Sequence, residues 1–93
     1  MNRDWQVYLL ECLDGSFYTG VTNNLSQRMA THMSGKGSKY VLAKGFKKLM
    51  HAQACTSKSD AYKKEYAIKQ LSKTKKIEWF TKQSSQAIFD NIY

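Results

Sequence analysis

The apolar positions of this chain fall into short blocks whose spacing changes along its length. Trp5 to Cys12 (WQVYLLEC) and Ser16 to Thr22 (SFYTGVT) are rich in aromatic and β-branched residues and read as two strands. Leu13-Asp14-Gly15 between them makes the pair a hairpin. If Gly15 takes the left-handed position of a three-residue turn with a bulge, Cys12 pairs with Ser16, Leu10 faces Tyr18 and Tyr8 faces Gly20. Val7, Leu9, Phe17 and Val21 then share one apolar face, and Tyr8 and Tyr18 project together from the other. A two-residue Asp14-Gly15 turn would place the two tyrosines on opposite faces and scramble the apolar one, so the pattern favours the bulged turn.

After the hairpin the period becomes helical. Asn24 is placed to cap a helix from Leu25 to about Met33, with Gln27 completing a capping box and Gly35 ending it. Leu25, Met29 and Met33 form its expected apolar stripe. Residues 35–39 (GKGSK) read as a mobile basic loop, and Lys48 to Cys55 as a third strand. Ser57, with Asp60 three residues on, starts a helix expected to reach about Lys73, and Lys75 to Gln83 reads as another with Ile77 and Phe80 inward. The expectation is a single α/β domain over residues 1–93, a small three-stranded antiparallel sheet flanked by helices. Its core spans about 5–82, and the apolar tail at 83–93 docks.

Charge adds a partner class. The net charge is +8, and it is unevenly spread. Arg3 and Arg28 against Asp4, Glu11 and Asp14 leave residues 1–34 at −1, whereas thirteen lysines against Asp60, Glu65 and Glu78 give residues 35–82 a net +10. Asp90 leaves the remainder at −1. A block this basic attracts polyanions, so nucleic acid is the expected partner. A hydrophobic content of 42% argues against a disordered chain, and no apolar run is long enough to span a membrane. Cys12 and Cys55 lack metal-ligand spacing and read as reduced, and the N-terminal residues carry no signal-peptide pattern, so the expected compartment is cytoplasmic.

A few side chains stand out for their chemistry. Arg28 is one of two arginines among many lysines, and a guanidinium offers phosphate a bidentate fork that an ammonium lacks. His32 lies at i+4 on the same helix face; a solvated surface pair is the plain alternative. Glu65 falls between Ala61 and Ile68 on the stripe expected to face the core, where a carboxylate must be ion-paired, metal-bound or at a cleft edge. Lys64, Lys69 and Arg28 are its candidate ion partners. Tyr40 is as well suited to stacking on a base as to packing on the sheet, and His51, in a strand, reads as structural.

Taken in order, Val7-Tyr8, Tyr18-Thr19-Gly20, Arg28 with His32, the run Gly35 to Tyr40 and the helix Glu65 to Ser72 (EYAIKQLS) resemble the GIY-YIG nuclease family, its short stand-alone bacterial members in particular. The resemblance covers about Val7 to Lys76. Gln6-Val7-Tyr8 stands where the family has Gly-Ile-Tyr, and Tyr18-Thr19-Gly20 replaces the second signature; both tyrosines and the second glycine remain. The resemblance implies an endonuclease that hydrolyses DNA phosphodiesters with weak sequence preference, in repair or processing. It implies that Glu65 holds one Mg²⁺ or Mn²⁺, that Arg28 balances charge on the phosphate, and that Tyr8 positions the attacking water. Tyr18 and His32 would complete the hydrogen-bond shell, with Lys36, Lys39, Tyr40 and Lys69 contacting nucleic acid. A DNA- or RNA-binding module with little catalysis, and an interaction subunit that meets a partner or itself through the tail, are the alternatives.

Overall fold

A computed structural model gives the architecture; it describes residues 4–90, and side chains to Gln83. Three strands, β1 (Gln6–Cys12), β2 (Phe17–Thr22) and β3 (Phe46–Ala54), form an antiparallel sheet in the order β2-β1-β3. The helices are α1 (Leu25–Met33), α2 (Lys39–Lys44), α3 (Lys58–Lys69) and α4 (Lys73–Asp90). The strand β1 is central because its sequence does not alternate: Val7, Tyr8, Leu9 and Leu10 are all fully buried, which only a strand covered on both faces can achieve. Val7 and Leu9 pack with Ile68 of α3 and Phe80 of α4. On the opposite face Tyr8, Leu10 and Cys12 pack with Leu25 and Met29 of α1 and Val41 of α2.

The hairpin follows the bulged-turn register. Gly15 has φ +87°, its N–H donates to the Cys12 carbonyl at 2.9 Å, and Cys12 N–H donates to Ser16 at 2.8 Å. Tyr8 therefore pairs with Gly20 and Leu10 with Tyr18. Against β3 the register shifts between Leu9 and Leu10, so that Leu9 pairs with His51 and Leu10 with Leu49. Met50 absorbs the extra position and each neighbour keeps its face. His51 then stacks on Phe80 at 5.5 Å between ring centres, a structural role.

Several expected boundaries move. The strand β3 starts at Phe46 rather than Lys48 and ends at Ala54, while α3 ends at Lys69 rather than near Lys73. Helix α4 begins at Lys73 and continues to Asp90, well beyond Gln83. A docked tail at 83–93 was expected; its side chains from 84 onward lie outside the described residues. The basic loop is shorter than expected because α2 follows it, capped by Ser38 Oγ accepting from Val41 N–H at 3.1 Å and ended by Gly45 at φ +83°. In α1 the stripe is also corrected. Met33 is 68% exposed and His32 is buried, since seven residues at about 100° each return to within roughly 20° of Leu25 and eight overshoot it.

Candidate active site

The site begins with the hairpin register. Because Cys12 opposes Ser16, Tyr8 and Tyr18 rise from the same sheet face, their ring centres 6.3 Å apart. Tyr8 reaches across the edge strand β2 above Gly20. A Cβ at Gly20 would lie 2.5 Å from the Tyr8 hydroxyl oxygen, so the glycine is what lets the phenol lie there. The space that a side chain at Gly20 would occupy is filled by the Tyr8 ring.

Helix α1 closes over these rings. Asn24 caps it by accepting from Gln27 N–H at 3.2 Å, while its side-chain amide donates to Gln27 Oε1 at 3.1 Å. That is a side-chain version of the expected capping box, because Asn24 N–H is taken by Thr22 Oγ1. The anchored helix presents Arg28 and His32 one turn apart to the tyrosines. His32 Nε2 and the Tyr8 hydroxyl are 2.8 Å apart, and Arg28 Nε donates to the same hydroxyl oxygen at 3.4 Å. Arg28 Nη2 donates to the Gly37 carbonyl at 2.9 Å, tying the basic loop to the cluster. Arg28 can only donate, so the phenol hydrogen goes to His32 Nε2 and the proton of the neutral imidazole is assigned to Nδ1. Among the described residues that nitrogen is buried without a hydrogen-bond partner. It lies against Gly37, where a Cβ would collide with the imidazole. The glycine of the basic loop is thus part of the site; its place in the GKGSK run was the available signal, but sequence reading assigned it only to the loop.

Burial dominates the electrostatics. His32 is pushed down to about 4 by loss of solvent and then by the Arg28 charge, so it is neutral at pH 7. Desolvation also raises Tyr8, and it outweighs the lowering effect of the Arg28 hydrogen bond; the Glu65 charge adds a small upward push. Cationic neighbours do not make Tyr8 a ready base here. The His32 shift has a consequence for stability. The folded state prefers the neutral imidazole, so this group's contribution is complete above its unfolded pKa of about 6.5 and is lost as pH falls toward about 4. Wild-type protein should lose up to ~3 kcal/mol through that window, and His32→Gln should lose much less. Thermal melts at intervals between pH 7.5 and 4 test this, and parallel pH profiles for the two proteins would refute it.

Of the residues singled out in the sequence, Tyr8, Tyr18, Arg28 and His32 come together. Tyr40 joins them by stacking on Tyr18, ring centres 5.8 Å apart, while it stays 41% exposed beneath the Lys44 ammonium. It packs on Tyr18 rather than standing free. Glu65 approaches from α3, which packs on β1 and β2 from the other face. Its side chain is 17% exposed and pairs with Lys69 at 3.3 Å, and among the described residues it shares no hydrogen bond with the tyrosines. It sits about 40° round the helix from Ala61 and about 60° from Ile68, on the shoulder of the buried stripe instead of its centre. Lys36 and Lys39 lie exposed in the loop and at the start of α2. Among the described residues no three His, Cys, Asp or Glu side chains converge as a metal cage. A magnesium ion that keeps several waters and takes phosphate oxygens needs only one or two carboxylates, and Glu65 fits that smaller demand.

Residues 4–84 match the family model described as the GIY-YIG catalytic domain. The chain belongs to the GIY-YIG family. Among its relatives, a UPF0213 protein of Cupriavidus pinatubonensis is 42% identical over 82 residues, covering 88% of this chain and 91% of that one. A UPF0213 protein of Desulfotalea psychrophila is 44% identical over 73 residues, and the chain spans 66% of its length. Two solution structures resemble the fold. The UPF0213 protein BH0048 from Bacillus halodurans has a TM-score of 0.52 at 42% identity, covering 84% of this chain and 83% of that chain. The protein EF2693 from E. faecalis has a TM-score of 0.59 at 36% identity, covering 89% and 92%. Both agree with a three-stranded antiparallel sheet flanked by helices as the GIY-YIG scaffold. No described helix is long and apolar enough to cross a membrane.

Proposed function

We propose that this GIY-YIG domain is a metal-dependent endonuclease that hydrolyses phosphodiester bonds of DNA with weak sequence preference, in repair or processing. One observation carries the reading: the run of hydrogen bonds from Arg28 through Tyr8 to His32. A structural tyrosine needs one partner for its hydroxyl. This one accepts from a guanidinium that can also fork onto phosphate, and donates its own hydrogen to a neutral imidazole.

The chemistry follows from those groups. Tyr8 orients the attacking water through its hydroxyl, and a proton passed to that oxygen can move on along the 2.8 Å contact to His32 Nε2. In the resting protein neither group takes a proton readily, since burial favours both neutral forms. The arriving phosphodiester is an anion, and its field favours the imidazolium, so the substrate itself raises the basicity of His32. Arg28 meets the charge that grows on the phosphate in the transition state. Glu65 would hold a single Mg²⁺ or Mn²⁺, which when bound supplies Lewis-acid stabilisation of the leaving oxygen. Lys36, Lys39, Lys69 and the exposed edge of Tyr40 contribute contacts to the nucleic acid, chiefly to its phosphates. Supercoiled plasmid incubated with the protein tests this directly. Nicking should appear with Mg²⁺ or Mn²⁺ and stop with EDTA. Salt-sensitive binding with no nicking of folded protein would favour the binding-module alternative.

A further inference from the structure

The outward side of α3 carries a feature that the cluster around Tyr8 does not use. Tyr62 is 47% exposed and Tyr66 is 71% exposed, one helical turn apart. With Lys58, Ser59 and Lys63 they line an open groove of about 890 Å³. Trp5 extends the aromatic surface, with its ring centre 6.3 Å from that of Tyr62 and the Lys58 ammonium 5.6 Å above it. Residues three and four apart on a helix are neighbours, so Tyr62 borders Glu65 and Tyr66 borders Lys69. The aromatic strip therefore runs directly into the Glu65–Lys69 pair.

We infer that Trp5, Tyr62 and Tyr66, with Lys58 and Lys63, form a stacking platform for unpaired nucleobases of the strand that leads to Glu65. Two aromatic side chains this exposed, continuous with Trp5, make an apolar patch of the kind that marks a contact surface. Among the described residues the groove's charged lining is lysine, with no carboxylate, which complements a phosphate backbone. Lysine is depleted at the cores of protein interfaces, so a protein partner fits the lining less well. Aromatic faces interleaved with cations are the arrangement by which proteins grip single strands, because any base has a face to stack while the backbone is neutralised alongside. A duplex cannot offer its faces to Tyr62 and Tyr66. The platform thus favours substrates with an unpaired segment beside the bond to be cut, and this inference rests on the nuclease reading of the Glu65 site.

Binding without cleavage separates the two. Fluorescence anisotropy in EDTA, with labelled oligo-dT and oligo-U of about 12 nucleotides and a duplex of equal length, measures the platform alone. Replacing both Tyr62 and Tyr66 by Ala should weaken single-strand binding by about 10-fold or more, with duplex affinity within about 2-fold. Replacing both by Phe should preserve single-strand binding and so exclude a fold defect. Comparison of the two oligonucleotides tells whether DNA or RNA is held better. Unchanged single-strand affinity in the Ala variant would overturn the inference, and so would equal losses on duplex and single strand. A change in sedimentation with unchanged oligonucleotide binding would assign the groove to a protein contact instead. Failure of plasmid nicking with the stacking result intact would count against the nuclease reading only.

Discussion

Tyr8→Phe should leave a folded protein that binds DNA as tightly as wild type and cuts it at least ~100-fold more slowly. The substitution removes one oxygen and keeps the ring that fills the space over Gly20. That oxygen joins Arg28 to His32, receiving from Arg28 Nε at 3.4 Å and meeting His32 Nε2 at 2.8 Å. Without it the water loses its orienting group and the imidazole loses its route to the reacting centre. Stability should fall by ~1–3 kcal/mol, because His32 then has two buried ring nitrogens without partners instead of one. Affinity should hold, since lysines outside the cluster supply most of the attraction to phosphate. Tyr18→Phe is the comparison, since its hydroxyl belongs to the expected hydrogen-bond shell beside Arg28. Its ring stacks on Tyr40 and meets His32 edge-on, and the main part of that packing survives removal of the hydroxyl. Nicking rates and thermal melts of the two variants decide the matter. Cleavage by Tyr8→Phe at the wild-type rate would remove Tyr8 from the mechanism.

Sequence reasoning reached the tyrosine face because strand parity is rigid. Once Gly15 is placed in a left-handed position, every residue of β1 and β2 has its side assigned, and a single misplaced residue would have reversed all of them. The helix starts were legible for a similar reason, since Asn24 and Ser57 each accept a bond from the N–H three residues on. The elements that escaped were those set by tertiary contact. Six residues at Lys39–Lys44 carry too little period to announce a helix, and Val41 secures them by burial under the sheet. His32 was legible as a neighbour of Arg28 but not as buried, because a titratable side chain is expected outside until its partner Tyr8 is known. Gly37 shows its purpose only when the imidazole it touches is in view. The purpose of the outer face of α3 was hidden too. Spacing puts Tyr62 and Tyr66 about 100° and 140° round the helix from Ala61, off the buried stripe, but it does not say what such an aromatic face is for.

Glu65→Gln should abolish metal-dependent cleavage, by at least ~100-fold, and change little else. The structure sharpens what the plain ion-pair reading predicts. Had Glu65 been deeply buried against a cation, losing its charge would have stranded that cation at a cost of several kcal/mol. Its partner is Lys69 at 3.3 Å, and that side chain is 51% exposed, so the ammonium returns to water when the carboxylate goes. Such a pair is worth ~0–1 kcal/mol, and the melting temperature should hardly move on either reading. Activity has to decide. Glu65→Gln preserves the shape and a carbonyl oxygen but lacks the charge that holds a hard cation. Lys69→Met breaks the same pair from the other side. If the pair itself mattered, both variants would lose cleavage equally. If Glu65 holds the metal, Lys69→Met should keep its dependence on Mg²⁺ and most of its rate, losing only the share of DNA affinity that one phosphate contact supplies. Raising Mn²⁺ should rescue neither the rate nor the metal response of Glu65→Gln. Nicking by folded Glu65→Gln at the wild-type rate would sink the assignment of Glu65 as metal ligand, and the nuclease would then need another oxygen donor.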